Sequence, residues 1–292
     1  MSNSFFEPPA QTKWNVLNLG AGVQSSTMAL MAAKGEITPR VDFAVFADTQ
    51  AEPTSVYAWL DYLEQEINKC PFPFPVYRVT KGNLTEDSLK IVYRKKTGVK
   101  SMRRLIPLFG IKQNGEVTAA IGRTCTADYK VVPILREIKK RCGITHGQKE
   151  ITVTQMIGIS YDEMQRMKLP SHKWTQHRWV LVEKKMTRAH CKEWMKKNNY
   201  PEPPRSACYY CPFHSDDEWR RLRNEDPEHF QKAIEFDKTI RQMYKTEQTD
   251  MKMEVYLHSS CHPLSEINFD SDVDKGQQEW DFTSECEGMC GI

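Results

Sequence analysis

The chain has 292 residues, of which 39% are hydrophobic and 27% are charged, and its formal net charge is +3. These values predict a globular protein large enough for one elaborated domain, and so small a charge does not by itself indicate a nucleic-acid partner. No apolar run is long enough to span a membrane, and no basic segment leads into an apolar core at the start, so we expect a cytoplasmic protein without a membrane partner.

The first 80 residues alternate between short apolar runs and amphipathic stretches. Residues 14–19 and 41–47 are strand-like runs that each precede a helical pattern, and residues 74–79 supply a third run. This alternation predicts an α/β fold, a Rossmann-like parallel sheet with helices on both faces.

From residue 84 to residue 120 the pattern changes to a polar helix, a basic stretch and a hairpin at Asn114-Gly115, which indicates an insertion. The α/β pattern then resumes. Strands are predicted at residues 151–159 and 179–182, and helices are predicted from residue 133 onwards, at 188–198 and at 227–244. We therefore divide the chain into a domain over residues 1–200, with its insertion, and a Cys-rich helical extension over residues 201–292 that ends in an irregular tail and packs on the same domain.

A loop of small and polar residues connects the first strand to the first helix. Such a loop presents free N–H groups and the positive end of the helix dipole to an anion. Gly20, Ala21 and Gly22 would let a phosphate approach closely, while Gln24, Ser25 and Ser26 offer hydrogen-bond partners. The loop favours a phosphate site, and tight packing of strand on helix is the alternative.

Three segments in order resemble the 3′-phosphoadenylylsulfate (PAPS) reductase and N-type ATP pyrophosphatase superfamily: Gly22-Val23-Gln24, Phe46-Ala47-Asp48-Thr49 and Val76-Tyr77-Arg78-Val79-Thr80. The resemblance implies an adenine-nucleotide-binding domain in which Asp48 and Thr49 face the nucleotide. The alternative for Asp48 is a capping role. Val23 stands where the pyrophosphatases usually have Lys, which weakens an ATP-cleaving interpretation.

Two further segments resemble motifs of this family. The stretch from Ile157 to Arg166 is similar to its Gly-x-Arg segment, which implies that Gly158, Ser160 and Arg166 help to close the nucleotide site. Lys130 belongs to a Lys-Val-x-Pro-like helix start and is implied as an anion contact. The alternatives are a helix start whose dipole is satisfied by acidic residues and, for Lys130, a solvated surface charge.

Nine cysteines in a chain without an export signal indicate buried thiols, metal ligands or redox chemistry rather than a disulfide framework. Cys208 and Cys211 have the spacing with which two thiolates converge on one metal. Zinc, held by this pair and His214, is one interpretation, and packed thiols are another.

The cysteine pattern resembles that of iron–sulfur adenylylsulfate reductases, which pair a Cys-Cys before Lys-Val-x-Pro with a distant Cys-x-x-Cys. The resemblance implies a [4Fe–4S] cluster on Cys125, Cys208 and Cys211, with Thr124 in the place of the remaining family ligand. Cys290 or Cys286 could fill the fourth position, or it could stay open.

Near the end of the sequence, Glu285-Cys286 resembles the start of the reductase motif Glu-Cys-Gly-Leu-His, whose cysteine attacks the sulfate sulfur. This implies Cys286 as the catalytic nucleophile. The alternative is an irregular tail with incidental cysteines.

The main functional hypothesis is the thiol-dependent cleavage of an adenylylated sulfate to sulfite and an adenosine phosphate, with a donor such as thioredoxin. The first alternative is an iron–sulfur ATP pyrophosphatase-type enzyme that adenylylates and thiolates a nucleic-acid base or a small molecule. The second is a non-catalytic nucleotide-binding regulatory protein, because fold alone does not determine activity. Assembly into a homo-oligomer is left open.

Overall fold

A computed structural model describes residues 10–93, 98, 100–246 and 253–270. Up to the middle of the chain the strands and helices are β1 (Trp14–Leu19), α1 (Val23–Ala33), β2 (Phe43–Asp48), α2 (Thr54–Lys69), β3 (Val76–Thr80), α3 (Leu84–Ser88), β4 (Ile91–Tyr93), β5 (Lys100–Met102), β6 (Leu108–Lys112), β7 (Val117–Ile121) and α4 (Val132–Cys142). They are followed by β8 (Val153–Ile157), β9 (Thr175–Arg178), α5 (Val180–Glu183), α6 (Arg188–Lys197), α7 (Asp216–Glu225), α8 (Pro227–Thr246) and β10 (Met253–Tyr256).

The centre of the molecule is a five-stranded parallel sheet in the order β3-β2-β1-β8-β9. Side chains of β1 alternate between its two faces. Leu17 and Leu19 pack in the core that α1, α2 and α6 cover, whereas Val16 packs in the core of α4 on the opposite face. The predicted fold class, a Rossmann-like α/β sheet with helices on both faces, is confirmed.

Two predicted elements differ from the structure. Residues 179–182 were predicted as a strand, but the fifth strand is β9 and Val180 begins the short helix α5. The apolar pattern missed β9 because its buried polar side chains are satisfied by hydrogen bonds, including Gln155 Nε2 to Thr175 Oγ1 at 2.9 Å. A helix was also predicted to begin at Pro133, but a π-helical segment, Thr126–Val131, leads into α4 ahead of it.

A second sheet joins distant parts of the chain. The predicted hairpin exists as β6 and β7, and it turns at Gly115, whose φ is +81°. β10 pairs antiparallel with β6, so the segment after α8 shares a sheet with the predicted insertion. The division of the chain at residue 200 stays a prediction. Among the described residues, no helix is long and apolar enough to cross a membrane.

The helix α7 has no counterpart among the predicted helices. Its first turn is fixed by a reciprocal cap in which Ser215 Oγ accepts from Glu218 N and the Glu218 carboxylate accepts from Ser215 N. This helix forms one wall of the cleft described below.

Candidate functional site

The order of the central sheet creates a crevice at one edge. The chain leaves β1 towards one neighbour and leaves β8 towards the other, and open α/β sheets bind ligands where the strand order reverses in this way. A Cβ atom on Gly158, after β8, would lie 3.0 Å from both the backbone nitrogen and the Cα of Ser25. Gly158 is therefore required for the close approach of the two loops.

The loop after β1 and the first turn of α1 are buried, and their serine side chains bind different partners. Ala21 adopts the left-handed conformation with a φ of 61°, and Gly22 precedes α1 without a side-chain cap. Ser25 Oγ accepts from Gly20 N at 3.2 Å and donates to the Gly22 carbonyl at 3.3 Å, which shapes the loop. Ser26 Oγ instead accepts from the indole of Trp59 at 2.9 Å and joins α1 to α2.

A polar network covers the start of α1. Gln24 Nε2 donates to Glu163 Oε2 at 3.2 Å and lies 3.5 Å from Ser160 Oγ, and Gln24 Oε1 accepts from Arg188 Nη1 at 3.4 Å. Arg166 Nη1 donates to the other oxygen of Glu163. Burial raises the pKa of Glu163, while Arg166 acts to lower it.

This network contains both predicted and unpredicted residues. The structure brings Gln24, Ser160 and Arg166 together, and their part in nucleotide binding stays a prediction. Glu163 and Arg188 were not predicted as members. Glu163 lies inside the stretch from Ile157 to Arg166 but is not a residue that the motif implies, and Arg188 lies outside that stretch. The acidic residue at 163 was weighed only as a partner for a helix dipole.

The carboxyl end of β2 carries the next predicted pair. Asp48 Oδ1 accepts from Gln50 N at 2.7 Å and from the Tyr57 hydroxyl at 2.8 Å. Burial, followed by this contact with Asp48, raises the pKa of Tyr57. Thr49 is fully buried, and its Oγ1 lies 3.4 Å from Cys208 Sγ. The β2 end therefore touches the cysteine region directly.

Three predicted cysteines occupy one neighbourhood. Cys125 immediately precedes the π-helical segment, and Cys208 and Cys211 share a turn in which Cys211 N donates to the Cys208 carbonyl at 2.9 Å. All three are free thiols. Cys211 interacts electrostatically with both Cys125 and Cys208, and burial raises the pKa of each thiol.

Lys130 is the cation shared by these thiols. Its charge acts to lower the pKa of all three cysteines, and its Nζ donates to Glu52 Oε1 at 3.3 Å. Burial acts to lower the pKa of Lys130, but Glu52 and the thiols outweigh it and the pKa lies above its ordinary value. Glu52 is buried, its Oε2 has no hydrogen-bond partner, and nothing in the sequence around it indicated this role.

The three thiols are suitable metal donors, but their side chains do not point at a common position. Within the part of the chain that the structure describes, no group of three or more His, Cys, Asp or Glu is placed to hold a metal ion. Three partly buried thiols beside a lysine are nevertheless the soft donors that iron–sulfur clusters and zinc take. Ligation would require their side chains to turn towards a common point. Cys286 and Cys290 lie outside the described residues.

His214, the ligand weighed for zinc, lies beside the same turn. Its backbone nitrogen donates to the Cys211 carbonyl at 3.0 Å, and its Nδ1 has no hydrogen-bond partner. Burial, helped by Arg205 and Arg221, holds the pKa of His214 well below its ordinary value. A neutral imidazole is the form that binds metals.

A cleft of about 790 Å³ opens next to the thiol region. Its walls come from the first three turns of α2, from the proline-rich segment 202–207 and from α7. Buried Arg205 and Glu218 form an ion pair that belongs to its lining. The volume lies within the range of about 300–1,000 Å³ that is typical of small-molecule sites.

Fold and site together define a doubly wound α/β protein with a ligand crevice and a group of thiols at the same sheet edge. No family model matches the chain, and no curated protein matches it. Among solved structures the chain is similar to the U34-tRNA thiolase NcsA from Methanococcus maripaludis with its [4Fe–4S] cluster, at 12% identity and a TM-score of 0.36, over 79% of this chain and 72% of that one. So distant a likeness carries no assignment of function, and the family resemblance stays a prediction.

Proposed function

We propose that the protein is an adenine-nucleotide-dependent sulfur-transfer enzyme. ATP would adenylylate a carbonyl oxygen of an acceptor and release pyrophosphate, and a sulfur nucleophile would then displace AMP. The observation that carries the proposal is the 3.4 Å contact between Thr49 Oγ1, at the end of β2, and Cys208 Sγ. It joins the edge where open α/β sheets bind ligands to a group of partly buried thiols.

The nucleotide part of the proposal rests on the loop after β1. The N-terminus of α1 has neither a side-chain cap nor an acidic residue in its first turn, and its dipole favours an anion at this end. Asp48 and Thr49 stand at the end of the neighbouring strand, and Gly158 lets the loop after β8 approach. Ser26 is not part of this set, because its hydroxyl already accepts a hydrogen bond from the Trp59 indole.

The sulfur part of the proposal rests on Cys125, Cys208 and Cys211. These residues would hold a [4Fe–4S] cluster, and such a cluster would supply the sulfur-donor chemistry. The shared cation Lys130 stabilises the thiolate forms that ligation requires, and Glu52 holds Lys130 in place. In this arrangement no fourth cysteine is needed.

The acceptor would enter through the 790 Å³ cleft. Ala207 lines the cleft and is directly followed by Cys208, while Trp59 lines it and reaches the nucleotide loop through Ser26. A nucleic-acid base or a small carbonyl compound bound here would lie between the two parts of the site.

The test is an anaerobic incubation of the iron- and sulfide-reconstituted protein with ATP, sulfide and total RNA. We expect AMP and pyrophosphate in equal amounts, with sulfur incorporated into RNA. Cys208→Ser should abolish sulfur incorporation, whereas Cys142→Ser, a thiol on α4 away from the site, should leave it unchanged. The proposal would be contradicted if the reconstituted protein formed no pyrophosphate and no thiolated product, both with RNA and with small carbonyl acceptors.

Cleavage of an adenylylated sulfate is the second candidate, and one observation favours it. Val23 leaves the loop without the lysine of the pyrophosphatases, and a reductase does not need that lysine to transfer a phosphate. Incubation with adenylylsulfate or its 3′-phosphorylated form and reduced thioredoxin would then yield sulfite that depends on Cys286. Sulfite in these reactions, together with no pyrophosphate from ATP, would make the reductase the better description.

A further inference from the structure

The segment Tyr161–Arg166, which we call the cover, lies over the start of α1 and places a carboxylate where an anion site is expected. Glu163 is bound by Gln24 through one oxygen, at 3.2 Å, and by Arg166 through the other. Arg188 reaches the same Gln24 at 3.4 Å. The Glu163 carboxylate therefore lies between the Arg166 guanidinium group and the Gln24 amide. The Arg188 guanidinium group donates to the same amide.

The loop itself supplies no positive side chain, because residues 20–26 contain neither lysine nor arginine. Two arginines reach the network from outside the loop, Arg166 at the end of a 3-10 segment and Arg188 at the start of α6. Guanidinium groups bind carboxylate and phosphate with the same planar geometry. The partners that now hold Glu163 are thus suited to hold a phosphate.

We propose that Arg166 and Arg188 bind the phosphates of the nucleotide, and that Glu163 occupies the phosphate position until a nucleotide displaces it. This inference rests on the nucleotide site of the proposed function, but not on sulfur transfer. In this inference Arg188, at the start of α6, supplies a positive charge that the loop lacks. The sequence motifs did not identify this residue.

The cover can move at small cost. Residues Tyr161–Arg166 form a short 3-10 segment without a single buried residue, and Glu163 interrupts its helical geometry. Displacing Glu163 therefore removes little apolar surface from its contacts. Asp162, the neighbouring acid, accepts from the backbone nitrogen of Arg188 at 3.2 Å and would keep the start of α6 in register.

The experiment measures dissociation constants for ATP, AMP and adenosine by calorimetry on the full chain. An internal competitor that fills the site about nine-tenths of the time weakens apparent affinity about tenfold, so Glu163→Gln should bind ATP about tenfold more tightly. Adenosine, which has no phosphate, should bind as it does to the unchanged protein. Arg188→Gln should lose at least about tenfold in ATP affinity with little change for adenosine.

Glu183→Gln is the matched control, because the carboxylate of Glu183 pairs with Arg178 and is itself exposed. Thermal unfolding of each variant verifies the fold. Weaker ATP binding by Glu163→Gln, or an equal gain for adenosine, would overturn the inference. If the unchanged protein and all variants bind no adenine nucleotide, both this inference and the proposed function fail. If ATP binds and is cleaved but Glu163→Gln changes nothing, only this inference fails.

Discussion

The pair of Lys130 and Glu52 allows a quantitative prediction for the thiol region. Their charged atoms are 3.3 Å apart, and the side chains are 14% and 0% exposed. At an effective dielectric constant of about 20, opposite unit charges at this distance attract by about 5 kcal/mol. Lys130→Met removes this attraction and leaves the Glu52 carboxylate buried without a cation. Breaking a buried pair typically costs about 3–5 kcal/mol, and we expect a loss of unfolding free energy in that range.

The assay is urea unfolding at pH 7, followed by the intrinsic fluorescence of the tryptophans. The double variant Lys130→Met/Glu52→Leu removes both charges and should recover most of the loss, because replacing a buried pair by apolar groups is often neutral. Lys232→Met, which breaks an exposed pair with Glu228, is the control and should not shift the midpoint. A single Lys130→Met variant as stable as the control would refute the reasoning.

Three further predictions concern separate parts of the structure. Ser26→Ala leaves the buried Trp59 indole without its acceptor, so it should cost about 1–3 kcal/mol in urea unfolding while ATP affinity measured by calorimetry stays unchanged; a large loss of affinity would return Ser26 to the phosphate site. Gly158→Ala places a Cβ 3.0 Å from the Ser25 backbone, so thermal unfolding should show a loss of about 1–3 kcal/mol, and an unchanged melting curve would mean that the two loops are not this close. The hydrogen bond from His258 lowers the pKa of Asp216, so this contact stabilises the fold at a pH above the ordinary Asp pKa of about 3.9. The stabilisation is lost as the pH falls through the lower pKa of Asp216 in the folded protein. His258→Phe should therefore reduce the urea midpoint at pH 7, and the two proteins should have the same midpoint in acid.

The first 80 residues were the most predictable from sequence, since β2 is apolar up to Asp48 and both β1 and β3 are largely apolar. β1 was predicted with the bounds that the structure shows, and β2 and β3 within a few residues. β9 was not predictable in this way, because it buries polar side chains that are satisfied only by partners elsewhere in the fold. The bond from Gln155 to Thr175 spans two strands and leaves no local signal.

The same difference applies to the site. The loop after β1, the end of β2 and the two cysteine segments were identifiable because each is a short contiguous motif. Glu163 and Arg188, or Glu52 with Lys130, become neighbours only through tertiary packing, and single charged residues look alike in a sequence. Lys130 was expected at the nucleotide, but the structure places it among the thiols. Its part in nucleotide binding stays a prediction.

The pairing of β10 with β6 has a consequence for how the protein is made. The two strands are separated by most of the second half of the chain, so their contact has a long loop to close and forms late. During synthesis the parallel sheet can assemble first, because its strands lie earlier in the sequence. Between them, β6 and β10 enclose residues 113–252, which contain all three clustered thiols. We therefore expect these thiols to remain accessible on the ribosome until β10 has emerged.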